Sequence, residues 1–196
     1  MKGLYLGRFQ PFHIGHLRVA NNLLSLFPNI KIKIGVADWR GKPNRNLFLT
    51  GDESKRIAEA ALADLEMDMQ VVTVPIIPGD SLEKTIADFV KKENIEAVFS
   101  GSSNTLEACN NLIGQGLHLI LCRIIDNEGE SIRGTNLREM ILQGSQEWRK
   151  YMTSSSAEIL DSYNPRQRLS DLSDGQKRPW ISDVEAPGNH FGSERK

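Results

Sequence analysis

The chain has 196 residues, 39% of them apolar, and a formal net charge of −1, enough for one domain with a real core. The near-neutral charge argues against a nucleic-acid binder, whose surface is usually basic, and no apolar run approaches the roughly 18 residues of a membrane span. Two cysteines, Cys109 and Cys122, form no CxxC pair, and the N-terminus runs straight into an apolar stretch, which points to a reducing, cytoplasmic setting.

In chain order, the hydrophobic pattern predicts strand 3–7, helix 14–26, strand 30–37, loop 38–50, helix 52–64, strand 70–77 and helix 81–92. Strand 96–100, helix 104–113, strand 117–124, loop 125–133 and helix 135–142 follow. Alternating strands and helices give an α/β, Rossmann-like fold with a mainly parallel sheet flanked by helices on both faces. Trp148, Tyr151, Met152, Ile159 and Leu160 recur at helical spacing within 145–162, so core packing by C-terminal helices is expected there. From Tyr163 to Lys196 the composition turns polar, with few apolar residues, so the expected division is a domain over 1–162 and a flexible tail over 163–196.

The densest chemical signal is GRFQPFHIGH, residues 7–16, between the first strand and the first helix. Ligands of open α/β sheets bind at the carboxyl ends of the strands, and a helix N-terminus with free N–H groups attracts anions. Gly7 and Gly15 let a ligand approach the backbone, and Pro11 fixes the chain. His13 and His16 are three apart and can share a helical face, both donating to one polyphosphate. Arg8 adds a permanent, fork-shaped cation. Two such histidines also occur as plain surface polarity or as metal ligands, but no Cys, Asp or Glu lies close by to complete a metal set.

GRFQPFHIGH resembles the signature of the nucleotidylyltransferase superfamily, whose shared core is HxGH. The longer GRFQPFH form resembles nicotinamide-mononucleotide adenylyltransferases of the archaeal type. The superfamily carries a later motif, SxTxxR or SGTxxR, that binds the ATP phosphates. Gly134, Thr135 and Arg138 match it, and Arg133 stands at the serine position. The segment NRNLFLTGDESKR, residues 44–56, is similar to a family loop through Arg45, Phe48 and Gly51. This makes Arg45 a candidate triphosphate contact, with a solvent-exposed loop arginine as the alternative. Residues 98–104, VFSGSSN, resemble a family turn that meets the nucleotide, through Ser100, Ser102 and Asn104. Some family members stack the nicotinamide ring on a tryptophan in the helix after the third strand. Here an ungapped comparison puts Ala87 at that position, and Trp39, Asp80, Phe89 and Asn104 are the acceptor candidates.

The resemblance implies transfer of the adenylyl group of ATP to nicotinamide mononucleotide, giving NAD and pyrophosphate. His13 and His16 would hold the α- and β-phosphates, and Arg8, Arg45 and Arg138 the β- and γ-phosphates. Gly7, Phe9, Gly15, Ser100, Gly134 and Thr135 would complete the ATP site. Mg²⁺ would be held through phosphate oxygens, without dedicated protein ligands. The family commonly assembles, so a homo-oligomer is expected. A sibling enzyme with another phosphorylated acceptor, such as phosphopantetheine or flavin mononucleotide, and a non-catalytic ATP or NAD sensor are the alternatives. A transfer-RNA synthetase shares HxGH chemistry but is disfavoured by the short chain, the neutral charge and the lack of a KMSKS-like loop.

Overall fold

In the computed structural model, which describes residues 1–124 and 132–172, alternating strands and helices build one parallel sheet. The strands are β1 (Lys2–Gly7), β2 (Lys31–Trp39), β3 (Val71–Ile76), β4 (Ala97–Ser100) and β5 (Ile120–Arg123). The helices are α1 (Ile14–Leu26), α2 (Gly51–Ala63), α3 (Leu82–Glu93), α4 (Ser103–Gly114), α5 (Gly134–Leu142), α6 (Ser154–Ser162) and α7 (Pro165–Asp171), with a 3-10 turn at Glu147–Tyr151. Sheet order is β3-β2-β1-β4-β5. The chain therefore builds outward from β1 in one direction, then returns to its other side. That reversal lies between β1 and β4, where open α/β sheets leave a crevice at the strand ends.

Side-chain alternation divides the core into two layers. Leu4 and Leu6 of β1 face a cluster closed by Ile86, Phe89 and Val90 of α3 and Ala108, Cys109 and Leu112 of α4. Tyr5 faces the larger cluster, which includes Leu17, Ala20 and Leu23 of α1 and Ile57, Ala58 and Ala61 of α2. Leu137 and Ile141 of α5, Trp148, Met152, Leu160 and Leu169 extend that second layer.

Most expected elements appear within a residue or two of their sequence bounds. β5 is shorter than expected because its register with β4 begins only at Ile120. Of the loop expected at 125–133, residues 125–131 lie outside the described residues, as does the stretch 173–196 of the expected tail. The tail does not begin at 163. Residues 165–171 form α7, whose Leu169 is fully buried in the main core. One well-placed leucine, a proline at the first helical turn and side-chain hydrogen bonds anchor a segment too polar to look foldable by composition.

Candidate active site

The turn after β1 is built around aromatic packing. Phe9 adopts a left-handed backbone (φ 50°) and is buried edge-on against Tyr5 and against the His16 ring. The Gln10–Pro11 peptide is cis. A Cβ on Gly7 would lie 2.6 Å from the Phe9 ring, so this glycine makes room for a neighbouring side chain as well as edging the crevice.

His13 takes the N-cap position of α1 and His16 the third helical position. The His13 backbone N–H donates to His16 Nδ1 at 3.2 Å, and the two rings stack with centroids 3.7 Å apart. Because Nδ1 accepts, neutral His16 carries its proton on Nε2, which is then the ring's donor. His13 is 3% exposed, and its Nδ1 is a buried polar atom with no protein partner. An orphaned atom of this kind calls for an explanation, and a ligand oxygen is one. Burial depresses the His13 pKa to about 4, and burial together with His13 holds that of His16 well below the usual histidine range. Both rings are neutral donors near pH 7. A Cβ on Gly15 would stand 3.1 Å from the His13 ring, so the glycine of HIGH is what lets that ring lie over the helix end.

Arg138, 7% exposed, reaches across from α5. Its Nη1 donates to the Gln10 carbonyl at 2.7 Å, and its Nη2 donates to Asn46 Oδ1 at 3.0 Å and Thr135 Oγ1 at 3.1 Å. Gly134 allows this approach, since a Cβ there would be 3.0 Å from the Gln10 carbonyl. Ser100 is fully buried and ties two strand ends together, its hydroxyl donating to the Leu6 carbonyl and accepting from the Ser102 N–H.

These groups enclose a crevice of 590 Å³ at the reversal of strand order. It gathers Gly7, Arg8, Phe9, His13, Gly15, His16, Ser100, Gly134, Thr135 and Arg138 from three separate segments. The N-termini of α1 and α5 both open on it, and its described lining holds four arginines and no carboxylate. Of those arginines, Arg123 at the end of β5 is not among the sequence candidates, and Arg133 is read there only as a cation standing at the serine position of the later motif. Their signal was position: one ends a strand, the other precedes a helix at the ligand edge. Gln10 was also missed. Its side chain accepts from the Leu49 N–H at 3.0 Å and donates to the Leu49 carbonyl and Ser54 Oγ, which fastens the β2–α2 loop to the turn.

Beside this crevice is a second cavity of 360 Å³, sharing Leu6, Gly7, Arg8, Gly101 and Ser102 with it. Asn104 lines it, together with Leu82, Thr85 and Ile86 of α3. The other acceptor candidates lie elsewhere. Phe89 is in the α3–α4 core, because its face of the helix points at Leu4 and Leu6. Asp80 accepts from Lys84 Nζ at 2.7 Å, and the Trp39 indole donates to the Lys42 carbonyl at 3.0 Å. Arg45 does not line the crevice either: its Nε donates to the Leu169 carbonyl of α7 at 3.2 Å. Among the described residues, no three His, Cys, Asp or Glu side chains gather as a metal site, and no helix is long and apolar enough to cross a membrane.

The family model for cytidylyltransferase-like proteins matches residues 4–140. The chain belongs to the cytidylyltransferase-like family. It is 26% identical over 174 residues to a nicotinamide-nucleotide adenylyltransferase of Archaeoglobus fulgidus, covering 88% of this chain and 98% of that one. It is 24% identical over 176 residues to nicotinamide-nucleotide adenylyltransferase 1 of Sulfolobus acidocaldarius, covering 88% and 95%. Its fold resembles a bifunctional NMN adenylyltransferase/ADP ribose pyrophosphatase from Francisella tularensis, at TM-score 0.63 and 19% identity over 86% of this chain. The chain spans about half of that protein (52%), which has also been crystallised with AMP and a manganese ion.

Proposed function

We propose that this chain transfers the adenylyl group of ATP to nicotinamide mononucleotide, giving NAD and pyrophosphate. The observation that carries the reading is the crevice that joins the orphaned His13 Nδ1 and the His16 Nε2 donor to four arginines and two helix N-termini, with no carboxylate in its described lining. Such a lining suits a polyphosphate. The A. fulgidus and S. acidocaldarius relatives, matched over nearly their whole lengths, support the choice of acceptor.

The chemistry needs no covalent intermediate. A monoester phosphate has a second pKa of about 6 and is already a nucleophile at neutral pH. What remains is to align it with the α-phosphorus of ATP and to neutralise charge as pyrophosphate leaves. His13 and His16 donate to the α- and β-phosphate oxygens as neutral rings, and Arg138, Thr135 and the α5 N-terminus receive the departing phosphates. Arg8, which lines both cavities, stands between donor and acceptor. The acceptor occupies the second cavity, its ring against Leu82 and Ile86 and its polar groups near Thr85 and Asn104.

The crevice suits Mg²⁺ carried in on phosphate oxygens, since its described lining offers cations and neutral donors but no carboxylate. When bound there, the ion would add charge neutralisation at the phosphates. We place the enzyme in the cytoplasm, in keeping with two free thiols, Cys109 and Cys122, and as a homo-oligomer by its family likeness.

One observation favours a second reading, a sibling enzyme with another phosphorylated acceptor: no aromatic side chain is among the described residues lining the second cavity. A pyrophosphate-release assay with ATP, Mg²⁺ and a panel of nicotinamide mononucleotide, its acid form, flavin mononucleotide, phosphopantetheine and glycerol phosphate separates the two. Release with nicotinamide mononucleotide is expected. Release only with another acceptor would establish the sibling.

A further inference from the structure

The C-terminal helix α7 grips the loop between β2 and α2 at several points. Arg168 Nη1 donates to Glu53 Oε2 at 2.7 Å and to the Phe48 carbonyl at 3.4 Å, and its guanidinium lies 5.7 Å from the centre of the Tyr163 ring. Arg45 of the loop donates back to the Leu169 carbonyl. Glu53 in turn accepts from the Thr50 N–H at 2.8 Å, which fixes the loop's entry into α2. The other side of the same loop meets the crevice: Leu49 is held by Gln10, and Asn46 Oδ1 accepts from Arg138. The loop is thus clamped between α7 and the arginine that lines the phosphate crevice. Leu47, Phe48 and Leu49 are all buried, so the loop can transmit a displacement rather than absorb it.

We propose that α7 braces the phosphate site, and that Arg168 is a positioning residue acting through Phe48 and Asn46 on Arg138. The inference rests on reading Arg138 as an ATP-phosphate contact. It gives residues 165–171, outside the stretch matched by the family model, a part in binding ATP. Without Arg168 the loop keeps its Arg45 contact to α7 but loses the hold at Glu53 and Phe48; Asn46 shifts, and the Arg138 guanidinium, still bonded to the Gln10 carbonyl and Thr135, meets ATP displaced from its set position. The acceptor cavity shares no residue with α7 or with this loop, so its affinity stays as it was.

The test measures ATP affinity calorimetrically, with MgCl₂ present, on the full chain and on Arg168→Ala, Asn46→Ala, the double variant, and Arg166→Ala as a control. Arg166 lies on the same helix but rests against Gly144. Arg168→Ala and Asn46→Ala should each weaken ATP binding about two- to thirtyfold, the range for residues that act through a coupled network. The double variant should be little worse than the weaker single, because both act on one path. Arg166→Ala should bind like the wild type. Unchanged affinity in a folded Arg168→Ala protein, or fully additive losses, would overturn the brace. If Arg168→Ala does not fold, Glu53→Gln takes its place: weakened ATP binding supports the brace, and wild-type affinity overturns it. Because the readout needs no acceptor, wild-type ATP binding without NAD synthesis defeats only the acceptor reading. A wild type that fails to bind ATP defeats both.

Discussion

His13 and His16 hold each other in place: the backbone N–H of one donates to the ring of the other at 3.2 Å, and their rings stack at 3.7 Å. The arrangement fixes the His16 tautomer and keeps both rings in a poorly solvated pocket. Burial disfavours their charged forms, so each ring is neutral near pH 7.

This burial has a consequence for stability. The unfolded chain protonates a histidine near pH 6.5, whereas folded His13 resists until about 4. Between those values the unfolded state binds more protons, so stability falls as pH drops. The contribution is complete above 6.5. For His13 alone the loss by pH 4 is about 3 kcal/mol, and His16 adds to it in the same direction. Glu53, with burial opposing, is held low overall by Arg168 and Thr50, and Asp64 is held low by Ser155, so these carboxylates also lose stability as pH falls, in the same direction as the histidines. Urea unfolding at pH 7.5, 6.0 and 5.0 should show declining stability, with a flatter profile for His13→Asn. Parallel profiles for the two proteins would contradict the burial argument.

Gly15→Ala tests the geometry of the histidine pair without removing either ring. Its methyl would sit 3.1 Å from the His13 ring and push it off the helix end. A few tenths of an ångström at the reacting phosphates should lower kcat about ten- to a hundredfold. Thermal unfolding should change little, because alanine favours the helix. Full activity would show that the His13 ring has another tolerated position.

Leu169→Ala addresses the C-terminal boundary. The side chain is fully buried, and removing it should cost about 2–5 kcal/mol, as for other buried leucines. A loss under ~0.5 kcal/mol would mean that α7 adds little to the core. Denaturant titration of the two proteins decides.

How far the sequence could be read depended on where a residue's partners lie along the chain. The ten-residue turn carried its own neighbours, so His13, Gly15 and His16 were legible together. Arg138 was legible through its spacing from Thr135. Arg45 was not: its partner, the Leu169 carbonyl, is a main-chain atom 124 positions away, invisible to any motif. Phe89 fell short for a related reason: Leu82, Ile86 and Phe89 share one face of α3, but only the N-terminal part of that face, Leu82 to Ile86, reaches the second cavity, while Phe89, a turn further on, lies in the core. Helix α7 was hidden because its anchoring is one leucine plus hydrogen bonds, not a periodic apolar stripe. Gln10 lies inside the motif, but its three side-chain hydrogen bonds reach Leu49 of the β2–α2 loop and Ser54 of α2, 39 to 44 residues away, which no local pattern shows.

The most direct test is to incubate the full chain with ATP, Mg²⁺ and nicotinamide mononucleotide and to quantify NAD by chromatography, beside His16→Ala. NAD and pyrophosphate should form in equal amounts with the wild type, and His16→Ala should be slower by about 10²–10³, as for loss of one transition-state donor. Absence of NAD, or NAD formation that survives His16→Ala undiminished, would contradict the assignment of this crevice as the site of adenylyl transfer.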